Sequence, residues 1–137
     1  MQVSEVMSTN VRIASPEDTL QKVAQSMAEL DAGVMPVGVN DRLVGMVTDR
    51  DIVVRAVSQG LDPEITTVRD VMSPQVHFCY EDDDVDEVAQ NMADWRVRRL
   101  PVLNLNKRLV GIVSLGDISR DSSPGATGAA LRDISTK

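Results

Sequence analysis

The apolar positions of this chain fall into two patterns, and both occur twice. Leu20, Val23, Ala24, Met27 and Ala28 sit at i, i+3, i+4, i+7 and i+8, the apolar face of a helix. Val85, Val88, Ala89, Met92 and Ala93 repeat that stripe. Acidic residues lead into each helix, Glu17 and Asp18 in the first case and Glu81, Asp82, Asp83 and Asp84 in the second. Carboxylates there suit the positive end of the helix dipole. A short extended segment is expected before each helix, at 11–14 and 76–80, and two short strands after it. Those strands span 35–39 and 43–48, then 100–105 and 109–114, with hairpin-length polar connectors at Asn40-Asp41-Arg42 and Asn106-Lys107-Arg108. A further helix is expected from Asp49 to about Gln59, capped by Gly60, with a counterpart from Leu115 to about Asp121.

The two halves match residue by residue. At a shift of 65, Val6-Met7-Ser8 recurs as Val71-Met72-Ser73, Val23-Ala24-Gln25 as Val88-Ala89-Gln90, and Pro36-Val37 as Pro101-Val102. After one inserted residue the shift becomes 66, and Arg42-Leu43-Val44-Gly45 matches Arg108-Leu109-Val110-Gly111, as Asp51-Ile52 matches Asp117-Ile118. Matches in one order with a single gap identify an internal duplication. The expected organisation is a first copy at 1–60, a linker at 61–70, a second copy at 71–121 and a flexible tail at 122–137 with a helical turn at 129–134. A unit of about 50 residues buries its sheet and helices poorly alone. The copies are therefore expected to pack about a pseudo-twofold axis, leaving two equivalent clefts.

Composition narrows the chemistry. The net charge of −7 argues against nucleic acid as a partner, because phosphate neutralisation requires basic excess. An anionic ligand would have to be held by local arginines. The aromatic fraction is 2%, so the core is aliphatic and stacking platforms for bases are few. The single Cys79 allows no intrachain disulfide and no zinc framework, and the single His77 allows no catalytic triad. No apolar run approaches the roughly 20 residues that span a bilayer, and the N-terminus lacks signal-peptide features. The expectation is a cytoplasmic, non-membrane protein.

At the end of each hairpin lies a Gly-hydrophobic-hydrophobic-[Thr/Ser]-x-x-Asp-hydrophobic run: Gly45-Met46-Val47-Thr48-Asp49-Arg50-Asp51-Ile52 and Gly111-Ile112-Val113-Ser114-Leu115-Gly116-Asp117-Ile118. Together with the Pro-Val strands and amphipathic helices, this resembles the cystathionine-β-synthase (CBS) domain, here as a stand-alone tandem pair covering about residues 4–121. The resemblance implies an α/β fold, a pseudo-twofold pair in which each copy is a small three-stranded sheet packed with two helices. It further implies a non-enzymatic regulatory module that senses adenosyl ligands (AMP, ADP, ATP, NAD or S-adenosylmethionine), with no catalytic cofactor and no metal. By the same resemblance Asp51 and Asp117 accept from ribose hydroxyls, and Thr48 and Ser114 contact ribose or phosphate. Backbone at Val34-Met35-Pro36 and Arg99-Leu100-Pro101 reads adenine, and Ile13, Ala14, Phe78 and Cys79 line the purine pocket. A flat homodimer is implied too, with the first helix faces and Trp95 as candidate contacts, and an unidentified protein partner remains open.

The two sites are not expected to be equal. Arg50 lies within the first motif, where the second has Gly116, while Arg96, Arg98 and Arg99 precede only the second Pro-Val strand. The cleft receiving Arg98, Arg99 and Arg120 is expected to favour phosphorylated ligands. A plainer account stands beside this one. Thr48-x-x-Asp51 and Ser114-x-x-Asp117 are also helix capping boxes, and the module could be a dimerisation scaffold that binds no nucleotide. Glu81 to Asp84 is read as a solvated helix start rather than a metal site, and Cys79 as a core residue rather than a nucleophile.

Overall fold

The computed structural model describes residues 1–74 and 77–121, the side chains of residues 120 and 121 excepted. The tail at 122–137, its expected helical turn, the Arg120 side chain and Val76 of the expected second extended segment lie outside the described residues. Two compact units emerge, and neither is a contiguous half. One joins Met1–Val11 to His77–Lys137; the other is Arg12–Val76.

In the unit Arg12–Val76, helix α1 (Leu20–Leu30) is capped by Thr19, whose side chain accepts from Lys22 N–H. Asp18 lies outside the first turn and instead accepts from Ser15 N–H at 2.9 Å. Leu20, Val23 and Met27 are buried as the stripe predicts, but Ala24 and Ala28 are exposed. A methyl group is too small to fix its own face, and the stripe in this copy is three residues wide. Asp31, at φ 51, ends the helix in the left-handed region. Strands β1 (Val34–Val39) and β2 (Arg42–Thr48) form an antiparallel hairpin in which Val34 faces Thr48 and Met35 faces Val47. Asn40 and Asp41 both have positive φ, 53 and 64, the geometry of a two-residue turn matched to strand twist. Helix α2 (Asp49–Arg55) is shorter than expected and gives way to a 3-10 turn, Val57–Gln59, before Gly60 at φ 72.

The extended segment at 11–14 contributes only one parallel bridge, Ala14 to Val37. Its bonds run from Ala14 N to Pro36 O and from Gly38 N to Ala14 O, both 2.9 Å. Extension toward Arg12 would need an N–H from Pro36, and extension beyond Ala14 one from Pro16, and neither proline has one. Pairing therefore stops at Ala14. Val68 of the expected linker at 61–70 and Val71, the first residue of the expected second copy, are both fully buried in this unit beside Leu20, Val37 and Val47.

The other unit repeats the plan. Strand β3 (Cys79–Tyr80) lies parallel to β4 (Arg99–Leu103), which is antiparallel to β5 (Leu109–Ser114). Helix α3 (Val85–Trp95) starts at the Asp84 cap and buries all five stripe residues, Val85, Val88, Ala89, Met92 and Ala93. Asp83 accepts from Tyr80 N–H at 2.9 Å, so the acidic run builds a turn and a cap before the helix. The inserted residue sits in the hairpin loop, where Asn104 Oδ1 accepts from Asn106 and Arg108 N–H and Lys107 takes φ 61. Leu105, expected at a strand end, belongs to this loop and is 80% exposed. Helix α4 (Leu115–Asp121) follows β5. Val3 is fully buried in this core.

The leading segment of each copy is exchanged. Ser8, from the start of copy one, bonds Ile112 of copy two in both directions, at 2.8 and 3.0 Å. Ser73, from the start of copy two, bonds Met46 of copy one in both directions at 2.9 Å. The motif glycines make this possible. A Cβ on Gly45 would lie 2.6 Å from Ser73 O, and one on Gly111 would lie 2.7 Å from Ser8 O. Among the described residues, no helix is long and apolar enough to cross a membrane. Gly45→Ala and Gly111→Ala should each destabilise the chain by about 1–3 kcal/mol, read as a lowered urea midpoint.

Candidate ligand site

Each hairpin delivers its Thr or Ser to the mouth of the following helix. In copy one, Thr48 is the residue of β2 opposite Val34 and also the N-cap of α2. Thr48 Oγ1 accepts from Asp51 N–H at 3.0 Å, and Asp51 Oδ2 accepts from Thr48 N–H at 3.0 Å. Only one carboxylate oxygen of Asp51 is used this way. The other, Oδ1, stands 3.9 Å from Arg55 Nε. The carboxylate is 17% exposed, held in place yet reachable from solvent. A second tie, Asp49 N–H to Gly33 O at 2.9 Å, fixes the loop before β1 against the same helix start.

Copy two repeats the capping contacts and the carbonyl tie. Arg99 faces Ser114 across β4 and β5. Ser114 Oγ accepts from Asp117 N–H at 3.1 Å, Asp117 Oδ2 accepts from Ser114 N–H at 3.0 Å, and Leu115 N–H donates to Arg98 O at 3.0 Å. The sequence-predicted residues thus gather within one unit for each copy: Ile13, Ala14, Val34, Met35, Pro36, Thr48, Arg50 and Asp51 in Arg12–Val76, and the remainder in the other.

Within each group the side chains differ in what they can offer. Met35 and Leu100 are in the cores and Pro36 and Pro101 are buried, so these residues can present only backbone. Ala14 is buried while Ile13 is partly open. Phe78 is 36% exposed and meets Tyr80 edge-on, with ring centroids 5.5 Å apart. Arg50, Arg98, Arg99 and Gly116 are exposed. Two contributions were not legible in the motif alone. Asp49 packs its carboxylate onto Gly33, where a Cβ would be 2.7 Å from Asp49 Oδ2. His77 stacks on Trp95 with centroids 4.2 Å apart, which places Trp95 against its own unit. Aligning the copies would have flagged the first, since Gly33 matches Arg98.

Cys79 is buried, with its Sγ 3.9 Å from Pro101 O. Burial, with a smaller push from the charge of Asp83, raises its thiol from 9.0 to about 12. Such a thiol is not a nucleophile near neutral pH. Among the described residues, no group of three or more His, Cys, Asp or Glu is arranged to hold a metal ion.

A duplicated α/β hairpin-and-helix unit with a matched hydroxyl–carboxylate box in each copy defines a tandem repeat module. The CBS domain model matches residues 3–58 and 68–123, and the chain belongs to the CBS domain family. It is 39% identical over 134 residues to the CBS domain-containing protein YhcV of Bacillus subtilis, covering 97% of this chain and 94% of that protein. It is 38% identical over 117 residues to Hypoxic response protein 1 of Mycobacterium tuberculosis, covering 85% and 81%. Among solved structures it resembles Hypoxic Response Protein I with two coordinated zinc ions (TM-score 0.81, 35% identity, 90% of this chain and 100% of that one). It also resembles the CBS domain pair of protein MJ0100 in complex with 5′-methylthioadenosine and S-adenosyl-L-methionine (TM-score 0.75, 28% identity, 88% and 94%).

The Cys79 environment has a measurable consequence. Its folded-state pKa lies above the unfolded one, so the stability it contributes is fully present below pH 9 and is lost as pH rises toward about 12. The urea midpoint should therefore fall more steeply above pH 9 in the native chain than in Cys79→Ala. At pH 8, Ellman's reagent should find one thiol in denaturant and none in the folded protein.

Proposed function

We propose that this chain is a non-enzymatic regulatory module that binds adenosyl ligands at its two Thr/Ser–Asp boxes and responds by a change of conformation or assembly. The observation that carries this reading is the duplicated box itself, Thr48 with Asp51 and Ser114 with Asp117, each facing the first residue of a Pro-Val strand. A carboxylate suits a vicinal diol because it accepts two hydrogen bonds, and Asp51 commits only one oxygen to its cap. The backbone beside Val34 and Arg99 is placed to read the adenine edge, which needs no aromatic platform. The complex of the MJ0100 domain pair with two adenosyl compounds supports the ligand class. The ligand is AMP, ADP, ATP, NAD or an adenosyl thioether or sulfonium. The net charge of −7 fits a small-molecule ligand better than nucleic acid.

A homodimer is part of this reading. Val53, Val54, Val57, Leu61 and Ile65 are 42–76% exposed along α2 and the turns after it, an apolar strip of the kind found at protein–protein contacts. Ala24 and Ala28 add a second apolar strip on α1.

The alternative, a dimerisation scaffold without a nucleotide, is favoured by the reciprocal hydrogen bonds of both capping boxes, which account for the Thr/Ser–Asp pattern as helix caps. A thermal-denaturation panel of adenosyl compounds, with sedimentation of the same samples, separates the two. A ligand at 100 times its Kd adds about 2.7 kcal/mol of stability, and Asp51→Asn or Asp117→Asn should abolish that gain at its own box. No shift with any compound would leave the scaffold.

A further inference from the structure

The copies differ in charge at matched positions around the box. Both preceding helices end on a left-handed residue, Asp31 in copy one and Arg96 in copy two. Two residues later Gly33 and Arg98 use their carbonyls in the same way, accepting from Asp49 and Leu115. Val34 and Arg99 then occupy the same register opposite the box hydroxyl. Copy one therefore gathers Asp31, Asp49 and Asp51 with two guanidiniums, Arg50 and Arg55, the latter 3.9 Å from Asp51 Oδ1. Among the described side chains, copy two gathers Arg96, Arg98 and Arg99 with Asp117.

The difference goes beyond a tally of charges. The Asp49 carboxylate fills the space that a side-chain stem at Gly33 would take, and its Oδ1 accepts from Arg50 N–H at 2.8 Å. A phosphate approaching this box meets a carboxylate already in place, and like charges brought together are costly. In copy two, none of Arg96, Arg98 and Arg99 is in a salt bridge among the described residues. Exposed guanidiniums without carboxylate partners are suited to grip phosphate oxygens in pairs.

Resting on the adenosyl reading above, we infer that the two boxes divide adenosyl ligands by charge. The Thr48/Asp51 box takes an adenosyl group whose 5′ substituent carries no negative charge, and the Ser114/Asp117 box takes a phosphorylated nucleoside. The chain then responds to two chemically distinct adenosyl pools at once, rather than doubling its response to one.

Calorimetric titration of the full chain with ADP and 5′-methylthioadenosine tests this, because the two share adenosine and differ only at the 5′ position. The expected result is one equivalent of each, bound without competition. Arg98→Gly with Arg99→Val, which copies the first repeat, should weaken ADP by roughly tenfold or more and leave 5′-methylthioadenosine within about twofold. Asp51→Asn should weaken 5′-methylthioadenosine and spare ADP. If the compounds compete for one box, or ADP fills both boxes equally, or the arginine variant binds ADP normally, the division by charge is overturned while the adenosyl reading stands. If neither compound binds, the adenosyl reading itself fails.

Discussion

The close approach of a serine carbonyl to a glycine in the opposite copy's hairpin is the contact on which the rest of the structure depends. Ser73 O over Gly45 and Ser8 O over Gly111 leave no room for a Cβ, so the glycine and the exchanged segment require each other. The pairing holds the middle of β2 and β5 from the side that β1 and β4 do not cover. It also carries Val68 and Val71 into one core and Val3 into the other. A hairpin fixed at its centre has a fixed end, and that end is Thr48 or Ser114. The box is therefore positioned by a contact three residues away that touches no ligand.

In the proposed reading the box joins folding to binding through one carboxylate. Asp51 Oδ2 closes the cap of α2, and a capping contact of this kind stabilises a helix by about 1 kcal/mol. In the proposed reading its second oxygen, 3.9 Å from Arg55 Nε, would take a ligand hydroxyl, which would link occupancy to the helix start. A seven-residue helix has few internal bonds of its own and depends on such end contacts. Ligand binding there would bias the helix that also carries the exposed Val53, Val54 and Val57. That is a physical route from a filled box to altered assembly.

Much of this was legible in the sequence, and the exceptions have identifiable causes. The duplication, the hairpins, α1, α3, α4 and both boxes follow from periodicity and matched motifs, because each is a local property of the chain. The exchange was not legible: Val6-Met7-Ser8 and Val71-Met72-Ser73 match each other, and matching does not say which hairpin each segment joins. The shortness of the pairing at Ala14 is legible in Pro36 and Pro16, which lack the donors that a longer ladder needs on either side. Spacing alone puts Ala24 and Ala28 on a buried face, yet the equivalent Ala89 and Ala93 are buried while these are not. The contrast between Asp49 on Gly33 and Leu115 beside Arg98 emerges only when the copies are compared in three dimensions.

The central claim is that the capping boxes are also ligand sites. A crystal structure of the chain grown with 5′-methylthioadenosine and ADP tests it most directly. Ribose hydroxyls are expected within hydrogen-bond distance of the Asp51 and Asp117 carboxylates, with adenine against the backbone before Pro36 and Pro101. Nucleoside bound away from both carboxylates, or both boxes unchanged and empty at saturating ligand, would contradict it.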